Sequence, residues 1–142
     1  MSDNFSSFLN DGNMSHHHYA DSIIKRTMTH LHDKNIDLIS AETDVATFSD
    51  LQRIAQHMTK TCGRVVILTS QDEFTYLIMA KSANVQHLYV DEIVSEIASN
   101  YGAHTSGDAY SAMAQFHQQN ITPELIDTAV ESAIIAIPFL RS

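Results

Sequence analysis

Apolar positions along this chain recur with two different periods, and each change of period marks an element. "YADSIIKRTMTHLHDKN" places Tyr19, Ile23, Ile24, Met28 and Leu31 at helical spacing, with Asn35 able to stop the run, so the pattern predicts an N-terminal helix over 19–35. "IDLISAE" then alternates Ile36, Leu38 and Ser40 against Asp37, Ile39 and Ala41, which fits a short strand. In "TFSDLQRIAQHMTKTCG", Thr47 or Ser49 can cap a helix whose one face carries Phe48, Leu51, Ile54, Ala55 and Met58. Gly63 follows where a left-handed cap belongs.

"RVVILTS" is a β-branched run of the kind found in strands buried on both faces. The turn "QDE" leads into "FTYLIMA", so the two strands are expected to form a hairpin. "HLYVDEIVSEIASNYG" returns to a helical period through Leu88, Ile93, Val94, Ile97, Ala98 and Tyr101, and stops at Gly102. The last helix has Thr122 as cap, Pro123 in its first turn and Glu124 at the positive end of its dipole. Its stripe is Leu125, Ile126, Ala129, Val130, Ala133, Ile134 and Ile137, and Pro138 is expected to end it.

Burying the five large residues of that stripe is worth on the order of 10 kcal/mol as an upper figure, which a free-standing helix would forfeit. The helix must dock. The order helix, strand, helix, strand, strand, helix, loop, helix then defines an α/β (α+β) fold: a small mixed or antiparallel sheet with helices packed on it. Residues 1–18 are polar and lack periodicity, and are read as a flexible arm. The N-terminal helix occupies 19–35 and the sheet domain 36–142.

Composition changes this picture mainly through charge. Seventeen acids face only eight Lys and Arg, for a formal net charge of -9. Between Ser82 and Leu140 there is no Lys or Arg, whereas Asp91, Glu92, Glu96, Asp108, Glu124, Asp127 and Glu131 lie there. A nucleic-acid partner is held largely by cations that displace counterions from phosphates, and this half supplies none. Contacts to nucleic acid would fall to Lys25, Arg26, Arg53, Lys60 and Arg64, which are interspersed with Asp33, Asp37, Glu42, Asp44 and Asp50. Cys62 is the only cysteine, which excludes an internal disulfide and suits a reducing compartment. No apolar run approaches the length of a membrane span and the start lacks a secretory pattern, so a cytoplasmic protein without membrane insertion is expected.

Other constellations carry little chemistry. His16, His17 and His18 are consecutive and cannot converge on one ion from a regular element, and His30 and His32 point to different faces of a helix, so no metal site is expected. Cys62 and His57 lie about 140° apart on a helix and do not meet. Asp108, Ser106 and His104 hold the residue types of a hydrolase triad but no scaffold that would orient them. The pairs Asp72/Glu73 and Asp91/Glu92 fall in a turn and a first helical turn, both solvated positions.

Two stretches carry a resemblance. "GRVVILTSQDEFTYLIMAKSA" and "EIVSEIASNYGAHTSGDAYSAMAQFHQQN" together resemble the C-terminal domain of alanyl-tRNA synthetase, a domain type that also sits beside the catalytic domain of DHH-family phosphoesterases. That family runs strand, turn, strand and short helix into a glycine-rich stretch containing Met-Ala-Gln, and a final helix closes it. Met113-Ala114-Gln115 matches the Met-Ala-Gln, and Gly102 sits where the glycine run would begin. The glycines are reduced to Gly102 and Gly107, with His104 between them. Asp108, Tyr110 or Ser111 stands where the family places an arginine, and His117-Gln118 where it places Gly-Gly. Glycines there permit close backbone approach to a phosphate, and the arginine would pair with it. The resemblance therefore implies a retained frame without its anion chemistry, and neither a catalytic centre nor a cofactor. In the synthetases this domain contributes tRNA contact and self-association. The expected role is a non-catalytic interaction or oligomerisation module, a subunit or adaptor in a larger assembly, with Phe139 and Leu140 beyond the last helix as a partner anchor. The alternative is a tRNA- or other nucleic-acid-binding accessory domain, which the acidic charge disfavours.

Overall fold

A computed structural model describes residues 24–32, 36–44, 47–86 and 88–141; the arm expected over 1–18, with its histidine run, lies outside them. The elements are β1 (Ile24–His32), β2 (Asp37–Thr43), α1 (Phe48–Met58), β3 (Arg64–Gln71), β4 (Thr75–Lys81), α2 (Val90–Ser99), β5 (His104–Gly107), β6 (Ser111–Phe116) and α3 (Thr122–Arg141). The strands form one mixed sheet in the order β1-β2-β3-β4-β6-β5. β2 and β3 are parallel and joined through α1, and every other pairing is antiparallel.

The sheet is covered on both faces, which explains the β-branched run at its centre. Val65 and Ile67 of β3 pack with α2 and α3, while Val66 and Leu68 pack with α1, and all four are fully buried. α1 presents Leu51, Ile54, Ala55 and Met58 to its face, and the Thr47 hydroxyl accepts from the Asp50 amide at 3.1 Å as its cap. On the other face α2 lies over β4, β6 and β5, and α3 lies over β2 and β3. Leu125, Ala129, Ala133 and Ile137 are the fully buried stripe of α3, so this helix docks on the sheet as its periodicity requires. α1 packs on β3 and β4. Beyond it, the same side of the sheet carries half-buried Met113 and Gln115 and exposed His104.

Three expectations are corrected. The helix predicted over 19–35 is strand β1 across Ile24–His32. Its pairing with β2 is interrupted between Ile24 and Arg26 and between Thr29 and Leu31. Each bulge adds one residue and shifts the phase of a two-residue period. Ile24, Met28 and Leu31 thereby acquire a spacing close to that of a helix, although Thr27 and Thr29 favour a strand. The segment read as a degenerate loop is the hairpin β5–β6. The last helix does not end at Pro138 but continues to Arg141, so Phe139 and Leu140 lie within its final turn rather than beyond it. Proline removes one amide donor to the preceding turn, and so near a terminus that loss does not stop the helix.

Candidate functional site

The residues carrying the family resemblance are brought together, but as a hairpin. α2 ends with its Asn100 and Ala103 amides donating to the carbonyls of Ile97 and Ala98 at 3.2 and 3.0 Å. Gly102 supplies the left-handed residue, with φ 66°, in open space. His104–Gly107 then pairs along β6, setting His104 opposite Gln115 and Ser106 opposite Met113. Gly107, with φ 115°, lies against its partner strand, where a Cβ would run into the Ser111 carbonyl and within 2.7 Å of the Ala112 Cα. Asp108 closes the turn. Its carboxylate accepts from the amides of Tyr110 and Ser111 at 2.8 and 3.1 Å, and its own amide donates to the Ser111 carbonyl at 2.9 Å. Main-chain donors of the sort that cradle phosphate elsewhere are engaged here by the chain's own anion.

The five cations singled out above do not form one surface. Arg26 stands opposite Glu42, near the carboxyl end of β2, with Lys25 beside it. Asp37, at the amino end of that strand, stands opposite Arg64, roughly 17 Å away at strand spacing. Arg64 is half-buried, its Nη1 donates to the Met58 carbonyl at 3.4 Å, and burial pushes its pKa down while Asp37 opposes the shift. Arg53 lies on α1, 3.6 Å from the Asp50 carboxylate, and Lys60 follows the helix. A sixth cation, Lys81, points inward: its Nζ donates to the Leu88 carbonyl at 2.5 Å and lies 5.7 and 5.0 Å from the ring centres of Tyr89 and Tyr110. Burial lowers its pKa, with Asp91 opposing. Lys81 ties the β4–α2 connection to the hairpin turn and is not presented to a phosphate.

A second constellation was not apparent from the sequence. Two adjoining cavities, of about 280 and 340 Å³, lie beside the start of α3 and share Glu42 and Pro123. The larger sits over the carboxyl ends of the parallel strands β2 and β3, among Thr43, Thr69, Ser70 and Gln71, and is closed by Asn120 and Thr122. Ligands of open α/β sheets collect outside the carboxyl ends of such strands. Thr43 donates to the Thr69 carbonyl at 3.0 Å, and Gln71 Oε1 accepts from the Asn120 amide at 3.0 Å, which fixes two of the walls. Asn120 holds φ 62°. Thr69 is fully buried, and its hydroxyl has no hydrogen-bond partner. The smaller cavity adds His30, whose Nε2 shares a 2.6 Å hydrogen bond with the Ser40 hydroxyl, and an apolar wall of Met28 and Ile126. Burial lowers the His30 pKa while Asp127 opposes it, which favours neutral imidazole. The available sequence signal was the polar close of both parallel strands, "SAET" and "LTSQ".

Among the described residues no group of three or more His, Cys, Asp or Glu is placed to hold a metal ion, and no helix is long and apolar enough to cross a membrane. Cys62 is exposed. Among the residues of α3 whose side chains are described, the exposed large apolar ones are Ile134 and Ile135.

With this geometry, the fold is that of the C-terminal domain of alanyl-tRNA synthetase. The C-Ala domain of the Aquifex aeolicus enzyme superposes with a TM-score of 0.61 at 14% identity, covering 76% of this chain and 95% of that one. A DHH domain from a member of the s1p family of ribosomal proteins gives 0.53 at 9% identity over 93% of this chain and 30% of its own. A pGpG-specific phosphodiesterase from Vibrio cholerae gives 0.50 at 12% identity over 92% and 41%. The chain thus spans nearly all of the first and less than half of the other two. No protein-family model and no curated protein sequence matches it significantly.

Proposed function

We propose that this domain is a non-catalytic interaction module whose partner is a second copy of itself, joined edge to edge through β5. The observation that carries this reading is the difference between the two edges of the sheet. β1 is interrupted by two bulges and carries Lys25 and Arg26, devices that discourage strand addition. β5 has neither: all four residues, His104 to Gly107, are exposed, none is Lys, Arg, Asp or Glu, and β6 pairs with only one side of it. Two such edges meeting antiparallel would bring no like charges together. The Asp108–Ser111 bond sets the ladder phase, and alternation of bonded and non-bonded pairs turns the Thr105 amide and carbonyl outward.

Thr105→Pro tests this, because it removes an outward donor without touching the bonds to β6. In size-exclusion chromatography with light scattering, the wild-type chain should run at twice the monomer mass and Thr105→Pro at the monomer mass, with matching circular dichroism. A wild-type chain that stays monomeric at every concentration ends the proposal.

The accessory nucleic-acid role has weaker support, since Lys25, Arg26, Arg53, Lys60 and Arg64 are dispersed over two ends of the sheet and one helix. Titration with tRNA at low ionic strength is expected to give no saturable binding. Tight binding that weakens steeply with salt would reverse the preference.

A further inference from the structure

We propose that the crevice over the carboxyl ends of β2 and β3 binds a small neutral ligand carrying a vicinal diol, a sugar or the ribose of a nucleoside. This is independent of the edge-to-edge reading, since β5 is separated from β3 by β4 and β6.

The first support is an unsatisfied group. A buried hydroxyl left without a partner costs more than its hydrogen bond returns, so such groups are rare and call for a reason. Thr69 is that group, fully buried on the wall of the larger cavity, although a valine would fit the central strand equally well. The second support is the polarity of the remaining wall. Ser70, Gln71, Asn120 and Thr122 line the same space, and side chains of these types both donate and accept.

Charge narrows the ligand. Among the described residues the charges at this site are acidic, with Glu42 and Asp127 on the walls and Glu124 in the first turn of α3, and Pro123 offers no amide, which disfavours an anion although α3 begins here. A bare cation meets the positive end of the same helix, and among the described residues no group of three or more His, Cys, Asp or Glu is placed to hold one. A neutral ligand rich in hydroxyls meets neither objection. A carboxylate has about four lone-pair sites, so Glu42 can accept from a diol hydroxyl alongside the contact it already makes. Next to it, Met28, Pro123 and Ile126 form an apolar wall on which the carbon face of a sugar or the plane of a base can rest.

The probes are D-ribose, adenosine and 2′-deoxyadenosine, each titrated into the full ¹⁵N-labelled chain. Saturable amide shifts are expected at Thr43, Thr69, Ser70, Asn120 and Thr122. Binding by adenosine but not ribose would identify a nucleoside site, and binding by both a sugar site. In either case loss of the diol in 2′-deoxyadenosine should weaken affinity about tenfold. Thr69→Val should weaken the bound probe by a similar factor while raising the melting temperature, because it removes a buried hydroxyl without changing shape. Glu42→Gln provides a second variant in which affinity should fall. Absence of saturable shifts with all three probes, or unchanged affinity in folded Thr69→Val, overturns the proposal.

Discussion

Gly107→Ala is expected to cost roughly 3–4 kcal/mol of folding stability. Two penalties coincide at this residue. Its φ of 115° lies where a side chain is strained, and a Cβ would drive into the Ser111 carbonyl and the Ala112 Cα of the neighbouring strand. Backbone cannot swing aside as a long side chain can, so the turn held by Asp108 must deform. Gly102→Ala is the matched control. It also has positive φ, but a Cβ there meets nothing within 4 Å, so only the conformational cost of about 1 kcal/mol is due. Urea unfolding of both variants measures the contrast through their midpoints. Equal losses would mean that β5 does not press on β6 at this point.

That pair of glycines also shows how far the sequence could be read. Gly102 was legible because a helical period stops just before it, and a local rule assigns the residue after a helix. Gly107 was not, since its requirement comes from a partner strand four residues ahead. β5 has no hydrophobic alternation to announce it, with all four residues exposed. β6 does alternate, but its inward residues are Ala112, Ala114 and Phe116, and two alanines make a weak signal. α1, β3, β4 and α2 were legible for the opposite reason: the helices bury a periodic set of large residues and the strands a nearly continuous run, each bounded by a cap or turn. β1 misled because bulges are set by the pairing with β2 and leave no local mark of their own.

The crevice was hidden for a related reason. Its walls come from the end of β2, the end of β3 and the approach to α3, segments separated by dozens of residues and joined only by the parallel pairing. The sequence showed polar residues closing two strands, which is equally the signature of ordinary strand ends. The five cations illustrate the converse. Acids interspersed among them in sequence pointed to a mixed surface, and the crossover through α1 separates them further, placing Lys60 and Arg64 at the opposite end of β2 from Lys25 and Arg26.

The second large effect is expected at Phe116. It is the bulkiest of the fully buried side chains among the described residues, lying between the sheet and α2, with its ring edge-on to Tyr101 at 5.4 Å between centres and 89° between planes. Phe116→Ala removes most of a ring from a packed layer, and such truncations cost about 3–5 kcal/mol, the aromatic pair included. Phe116→Leu refills most of the volume and should lose less, about 1–1.5 kcal/mol. Position makes the residue more than a filler. Immediately after it, the Gln118 backbone carbonyl accepts from the Thr75 hydroxyl at 2.7 Å and the Gln118 side-chain Nε2 donates to the Tyr101 carbonyl at 3.2 Å, fixing the path into α3. Loosening Phe116 therefore loosens the segment that delivers Asn120 and Thr122 to the crevice. Hydrogen exchange on folded Phe116→Leu should show faster amides across 117–122 with β2 and β3 unchanged. Uniform acceleration over the whole chain would instead mean that Phe116 supports only global stability.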